Sequence, residues 1–188
     1  MNNDSTCEKN ELHKLKQEYN FKQFTGGTFF DFVASKGNLS ILQYLYNNPD
    51  KNRLVNNTLF TTWAMDWASL YGHLNVLKFL HSIGANCTHK AMNFASMNGH
   101  LKIVKWLNEN RIEVGTKDAL EEAFFNGHLE VIKYLLLNPI TTFKLNGHEI
   151  NIAIENKHKH IIDWYIENIA DSFIEIFIIK CKCIKLFN

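Results

Sequence analysis

The chain has 188 residues, 46% hydrophobic and 21% charged, a balance that supports one sizeable globular core and excludes a disordered chain. Lysine and arginine number 20 against 19 aspartate and glutamate, so the formal net charge of +1 supplies no general attraction to nucleic acid or anionic lipid. Cys7, Cys87, Cys181 and Cys183 follow neither a disulfide framework nor a metal-module spacing and are expected as reduced thiols.

Residues 1–25 are polar and lack the apolar core of a secretion signal, which predicts an intracellular protein, cytoplasmic or, for a viral source, in the host cytoplasm. Between Glu8 and Phe24, the residues Leu12, Leu15 and Tyr19 recur at helical spacing among lysines. They predict a helix that turns those three side chains inward and caps the N-terminal end of the domain.

From 26 to 169 the chain repeats itself. Gly37-Asn38-Leu39-Ser40-Ile41-Leu42-Gln43-Tyr44-Leu45 is a first, weaker copy of a line that returns as Gly72-His73-Leu74-Asn75-Val76-Leu77-Lys78-Phe79-Leu80. It returns again as Gly99-His100-Leu101-Lys102-Ile103-Val104-Lys105-Trp106-Leu107 and Gly127-His128-Leu129-Glu130-Val131-Ile132-Lys133-Tyr134-Leu135, and a last time with Lys157 in place of glycine before His158. The markers at 37, 72, 99, 127 and 157 lie 35, 27, 28 and 30 residues apart, so a fixed unit is joined by variable connections.

Upstream of the middle markers stand Ala64 and Ala68, Ala91 and Ala95, Ala119 and Ala123, each pair four apart on one helical face where a neighbouring helix can come close. Each of about five units therefore reads as a short Ala-faced helix, a tight glycine turn and a longer helix. One hairpin cannot bury its apolar faces alone, and stacking does so. Lys157, where the chain wants a residue that accepts positive φ, predicts a less comfortable turn in the last full repeat.

The segment 170–188 opens on the most hydrophobic run, Phe173 to Ile179, interrupted by Glu175 and succeeded by Lys180, Lys182 and Lys185. No stretch of about 18 uncharged apolar residues exists, so no membrane span is expected. The run is read as a packed final helix, with a tail that needs a partner as the alternative.

The line from Gly72 to Asn86, ending Gly84-Ala85-Asn86, resembles the turn, second helix and exit of the ankyrin repeat family, and Ala68, Ala95 and Ala123 fall at the alanine of that family's opening. The resemblance covers residues 29–168. It implies an all-α fold: an ankyrin-repeat solenoid of stacked helix-turn-helix units. The Thr-Pro-Leu-His opening is replaced by Trp63-Ala64-Met65-Asp66, Lys90-Ala91-Met92-Asn93 and Asp118-Ala119-Leu120-Glu121, and the short period implies shortened inter-repeat hairpin loops. In this it is similar to the short variants of amoebae and of the giant DNA viruses that infect them.

By the family's geometry the residue before the second alanine and the two before the glycine face the concave side, which selects Trp67, Leu70, Tyr71, Phe94, Met97, Asn98, Glu122, Phe125 and Asn126. Large apolar side chains there suit a protein partner. The expected function is a non-catalytic scaffold or adaptor, monomeric, without metal or cofactor. The aromatic series Tyr44, Phe79, Trp106, Tyr134 and Trp164 is expected to fill the space between successive second helices and not to stack bases. Lys78, Lys105 and Lys133 form a line, broken by Gln43 and Asp163, that carries the alternative of a nucleic-acid-associated protein. A repeat paralogue without a specific partner is the third reading.

The histidines are expected as each repeat's own turn residue, bonding backbone groups at the start of its helix. Zinc is not expected, because four convergent ligands are missing. No phosphate loop, nucleophile elbow or recognisable carboxylate pair predicts catalysis.

Overall fold

A computed structural model describes residues 3–19, 27–48, 60–111, 117–137, 145, 147–170 and 172–187, without the side chains of 3–9, 173, 174 and 185–187. Every regular element among the described residues is an α-helix, and the chain divides into two compact units, Met1–Phe94 and Ala95–Asn188.

The first unit holds α1 (Asn3–Glu18), α2 (Phe29–Ser35), α3 (Leu39–Asn47), α4 (Trp63–Leu70), α5 (Leu74–Ser82) and the start of α6 (His89–Met97). Short helix α2 packs on its successor α4, and long helix α3 on α5, so two hairpins stack in register. Leu42, Leu45, Met65, Leu77 and Leu80 are buried in this core, as are the small Ala34, Ala64 and Ala68. α1 lies against α3. Leu15 and Tyr19 are buried and Leu12 half-buried, but the helix ends at Glu18, and the Tyr19 hydroxyl donates to the Gly27 carbonyl at 3.0 Å. The expected continuation over 20–24 lies outside the described residues.

The second unit holds the rest of α6, then α7 (Leu101–Asn110), α8 (Lys117–Asn126), α9 (Leu129–Leu137), α10 (His148–Glu155), α11 (Lys159–Asn168) and α12 (Phe173–Phe187). The same register recurs: α8 packs on α10, α7 on α9, and α12 on α10. α12 buries Ile179. Polar contacts help to hold it, the Tyr165 hydroxyl donating to Glu175 Oε1 at 3.0 Å and Lys182 Nζ to Asn151 Oδ1 at 2.7 Å.

The repeat line is explained by how each short helix stops. Gly99 has φ +70° and its N–H reaches the Ser96 carbonyl at 3.2 Å, while the next N–H, of His100, reaches the Ala95 carbonyl at 2.8 Å. Those two bonds make a Schellman closure, and the same His-to-Ala bond recurs from His73 to Ala68, His128 to Ala123 and His158 to Ala153. The spacing from alanine through glycine to histidine is therefore one turn motif. Lys157 takes φ +60° to build it without glycine. The connection from Ile83 to Thr88 passes straight to α6, with Gly84 closing α5 in the same way and no strand formed.

The imidazoles depart from the role expected of them. His73, His100 and His158 cap their helices without a side-chain bond. Instead the ring reaches back one repeat: His73 Nε2 donates to the Ser35 carbonyl at 3.0 Å, His128 Nε2 to Met97 at 2.9 Å and His158 Nε2 to Phe125 at 2.7 Å. Each acceptor stands at the end of the preceding short helix, whose last carbonyls have no partner within the helix. The ring lies over the preceding glycine, so closely that a Cβ on Gly37 would stand 2.5 Å from the His73 ring and one on Gly99 2.6 Å from His128 Nδ1. In the first hairpin Asn38 replaces histidine and accepts from the Ile41 N–H of its own helix.

A second joint, which the sequence did not suggest, is built on buried aspartates six residues before the turn. Asp31 accepts from the Thr61 N–H at 2.9 Å and the Thr61 hydroxyl at 2.8 Å, and Asp66 accepts from both groups of Thr88 at the same two distances. Asp31 also closes a capping box with Thr28. Burial raises the pKa of both carboxyls above the ordinary value, against the lowering pull of these hydrogen bonds.

Candidate functional site

Because the Schellman turn ends each short helix abruptly, the residues just before it stand at a helix terminus beside a reversing chain, where few neighbours cover them. In the first unit Tyr71, the residue before Gly72, is 57% exposed. Trp67, Leu70 and Phe94 are half-buried. The Trp67 ring lies 5.1 Å from that of Trp63, one helical turn earlier on α4, and the Lys90 ammonium sits 4.7 Å over the Trp63 ring. Trp63 and Lys90 thus extend the expected aromatic patch. They belong to the replaced opening of the repeat and carried no apolar-face signal of their own.

In the second unit Phe125 is 55% exposed, Met97 and Glu122 are half-buried, and Asn98 and Asn126 are exposed. The Asn126 amide donates to the Glu122 carbonyl at 2.9 Å, folding its side chain back on its own helix. The carbonyls of Met97 and Phe125 are the acceptors of the histidine joints, so their backbones are fixed while their side chains differ from repeat to repeat.

Two members of the aromatic series on the second helices, Phe79 and Tyr134, face a neighbouring helix. The Phe79 ring meets Tyr46 edge-on at 6.0 Å, while Tyr134 receives the Lys105 ammonium at 5.6 Å over its ring and the Asn108 amide at 3.2 Å on its hydroxyl. Of the lysine line, Lys133 pairs with Glu130 at 2.8 Å and Lys105 is held over Tyr134.

Another cation, Lys117, is held within the fold. Lys117 Nζ bridges Glu121 at 3.0 Å and the buried Glu149 at 3.4 Å, and the hydrogen bond to Glu121 raises its pKa, keeping it charged. Among the described residues no three His, Cys, Asp or Glu side chains stand together to hold a metal ion. None of the described helices is long and apolar enough to cross a membrane.

Short and long helices that alternate, close on a left-handed residue and stack like on like define a helical-repeat protein, whose cores form only between neighbouring units. The chain belongs to the ankyrin repeat family: the family described as "Ankyrin repeats (3 copies)" matches residues 30–118 and 65–148. Among solved structures it is similar to the human ASB11 ankyrin repeat domain, with a TM-score of 0.59 and 19% identity over 81% of this chain and 82% of that one. No curated protein matches the sequence. Ankyrin repeats are generally protein–protein interaction modules and typically act without catalysis.

Proposed function

We propose that the protein is a non-catalytic scaffold or adaptor that holds a protein partner on the ends of its short helices, the concave face of the family. The face comprises Trp67, Leu70, Tyr71 and Phe94 in the first unit and Met97, Asn98, Glu122, Phe125 and Asn126 in the second. The observation that carries this reading is the exposure of Tyr71 and Phe125, both over half accessible, at turns whose backbone is locked. Rigid turns hold such rings without a backbone ordering cost, and aromatic side chains on a polar surface are common anchors of protein interfaces.

Proximity labelling with crosslink mapping in the native cell identifies the partner and the face together. Replacing Tyr71 or Phe125 with alanine is then expected to weaken that complex by at least about 1 kcal/mol each. Unchanged affinity in variants at Trp67, Tyr71, Phe94, Met97 and Phe125 would remove the assignment. Steep salt-dependent binding to DNA or RNA would transfer it to the Lys78, Lys105 and Lys133 line. Recovery of no partner would favour a repeat without a specific one.

A further inference from the structure

α12 does two things at once. Ile179 is buried, Glu175 meets Tyr165 and Lys182 meets Asn151, so one face seats the helix on α10 and α11. The opposite face is apolar and uncovered. Phe177 and Ile184 are 59% and 60% exposed, with half-buried Cys181 between them at i, i+4 and i+7 spacing, and Ile178 is 47% exposed beside them. Three of the seven exposed large apolar side chains among the described residues lie on this one helix.

The stripe runs from edge to edge of the helix. Ile178 reaches the rim of a cleft of about 620 Å³ against α10, and Ile184 the rim of one of about 310 Å³ against α11. Exposed Lys180 flanks it, with Lys159 of α11 across the second cleft, while Lys182 is held by Asn151 on the seated side. The acidic neighbours are Glu175, which accepts from Tyr165, and Asp163, which shares the second cleft with Cys183 and, after burial, helps raise that thiol's pKa.

We propose that α12 docks the protein on an anionic lipid surface, the stripe of Phe177, Cys181 and Ile184 entering the headgroup boundary while Lys180 and Lys159 beside it reach lipid phosphates. An apolar stripe flanked by lysine is the pattern of an interfacial helix, whose long side chains lay their stems along the apolar surface and keep the ammonium at the headgroups. Nothing in the proposal requires a spanning helix.

The test is co-sedimentation of the full chain with vesicles of phosphatidylcholine alone or with about one part in three phosphatidylserine. Binding is expected only to the anionic vesicles and falls with salt. Lys180→Gln is expected to weaken it about fivefold, and Phe177→Ser with Ile184→Ser at least about tenfold. All three side chains are exposed, so unchanged thermal unfolding of the variants separates lost docking from lost folding. Tyr71→Ala is expected to bind vesicles like wild type, which keeps this proposal separate from the partner-binding face. Absent binding, equal binding to neutral vesicles, or a dimer in sedimentation that disperses on Phe177→Ser would overturn it, the last in favour of a second copy of this chain.

Discussion

Gly99→Ala adds one methyl group and is expected to damage two repeats at once. Alanine at φ +70° costs about 1–2 kcal/mol, because its Cβ crowds the carbonyl in the left-handed region. The same Cβ would stand 2.6 Å from His128 Nδ1 and 2.9 Å from Cε1, so the ring must leave and its bond to the Met97 carbonyl is lost, a further ~1 kcal/mol. The sum is roughly 2–3 kcal/mol. Removal of the ring by His128→Ala costs about 1 kcal/mol alone, and in the double variant the clash vanishes, leaving the backbone term. The two changes together are therefore expected to cost about 1 kcal/mol less than the sum of the singles. Urea unfolding of the four proteins measures this from midpoints at constant m. Strict additivity would refute the back-reaching joint, and a Gly99→Ala cost below ~0.5 kcal/mol would refute the backbone argument.

The remaining expectations use the same measurements. Lys157→Gly relieves a left-handed lysine at the price of a more flexible unfolded chain and should stabilise by about 0.5–1 kcal/mol; a net loss would show that the Lys157 side chain contributes more than its backbone costs. Asp66→Ala leaves the Thr88 N–H and hydroxyl without their acceptor and should cost ~1–2 kcal/mol, whereas Asp66→Asn can accept from the N–H and donate to the hydroxyl. Because burial raises the Asp66 pKa on folding, the wild type holds this group's contribution below the ordinary 3.8 and loses it as pH rises through the raised folded value. The stability difference should therefore move in favour of Asp66→Asn across that window, and a flat difference between pH 3 and 7 would contradict the burial argument.

What the sequence made legible is what lies within one unit. The glycine turns, the paired alanines and the second helices are local, and each is set by residues no more than five apart; even the awkward Lys157 turn can be read from the string. The joints are not local. His73 finds its acceptor 38 residues upstream and Asp31 its donor 30 downstream, across connections of unequal length, so neither partner has a fixed offset. The histidines repeat for a reason, but the reason sits in the preceding repeat. The aspartates failed to register because the residue at this phase changes along the chain, from Asp31 and Asp66 to Asn93 and Glu121. On the candidate face, position was legible and accessibility was not: Tyr71 is open while Trp67, four residues earlier, is partly covered by Trp63. The final run was legible as either packed or partner-seeking, and α12 is packed on one side and open on the other.

The histidine over the preceding glycine also acts as a grammar for chain growth. A duplicated unit brings a histidine for its predecessor and a glycine for its successor, so a copy inserted at the Gly37–His73 or Gly99–His128 joint meets both requirements without adjustment. At Lys157 the joint lacks its glycine, and by analogy with Gly37 and Gly99 a ring laid over it would meet a Cβ; α10 is covered by α12. One residue there marks the point where the chain exchanges the repeated joint for a different cover.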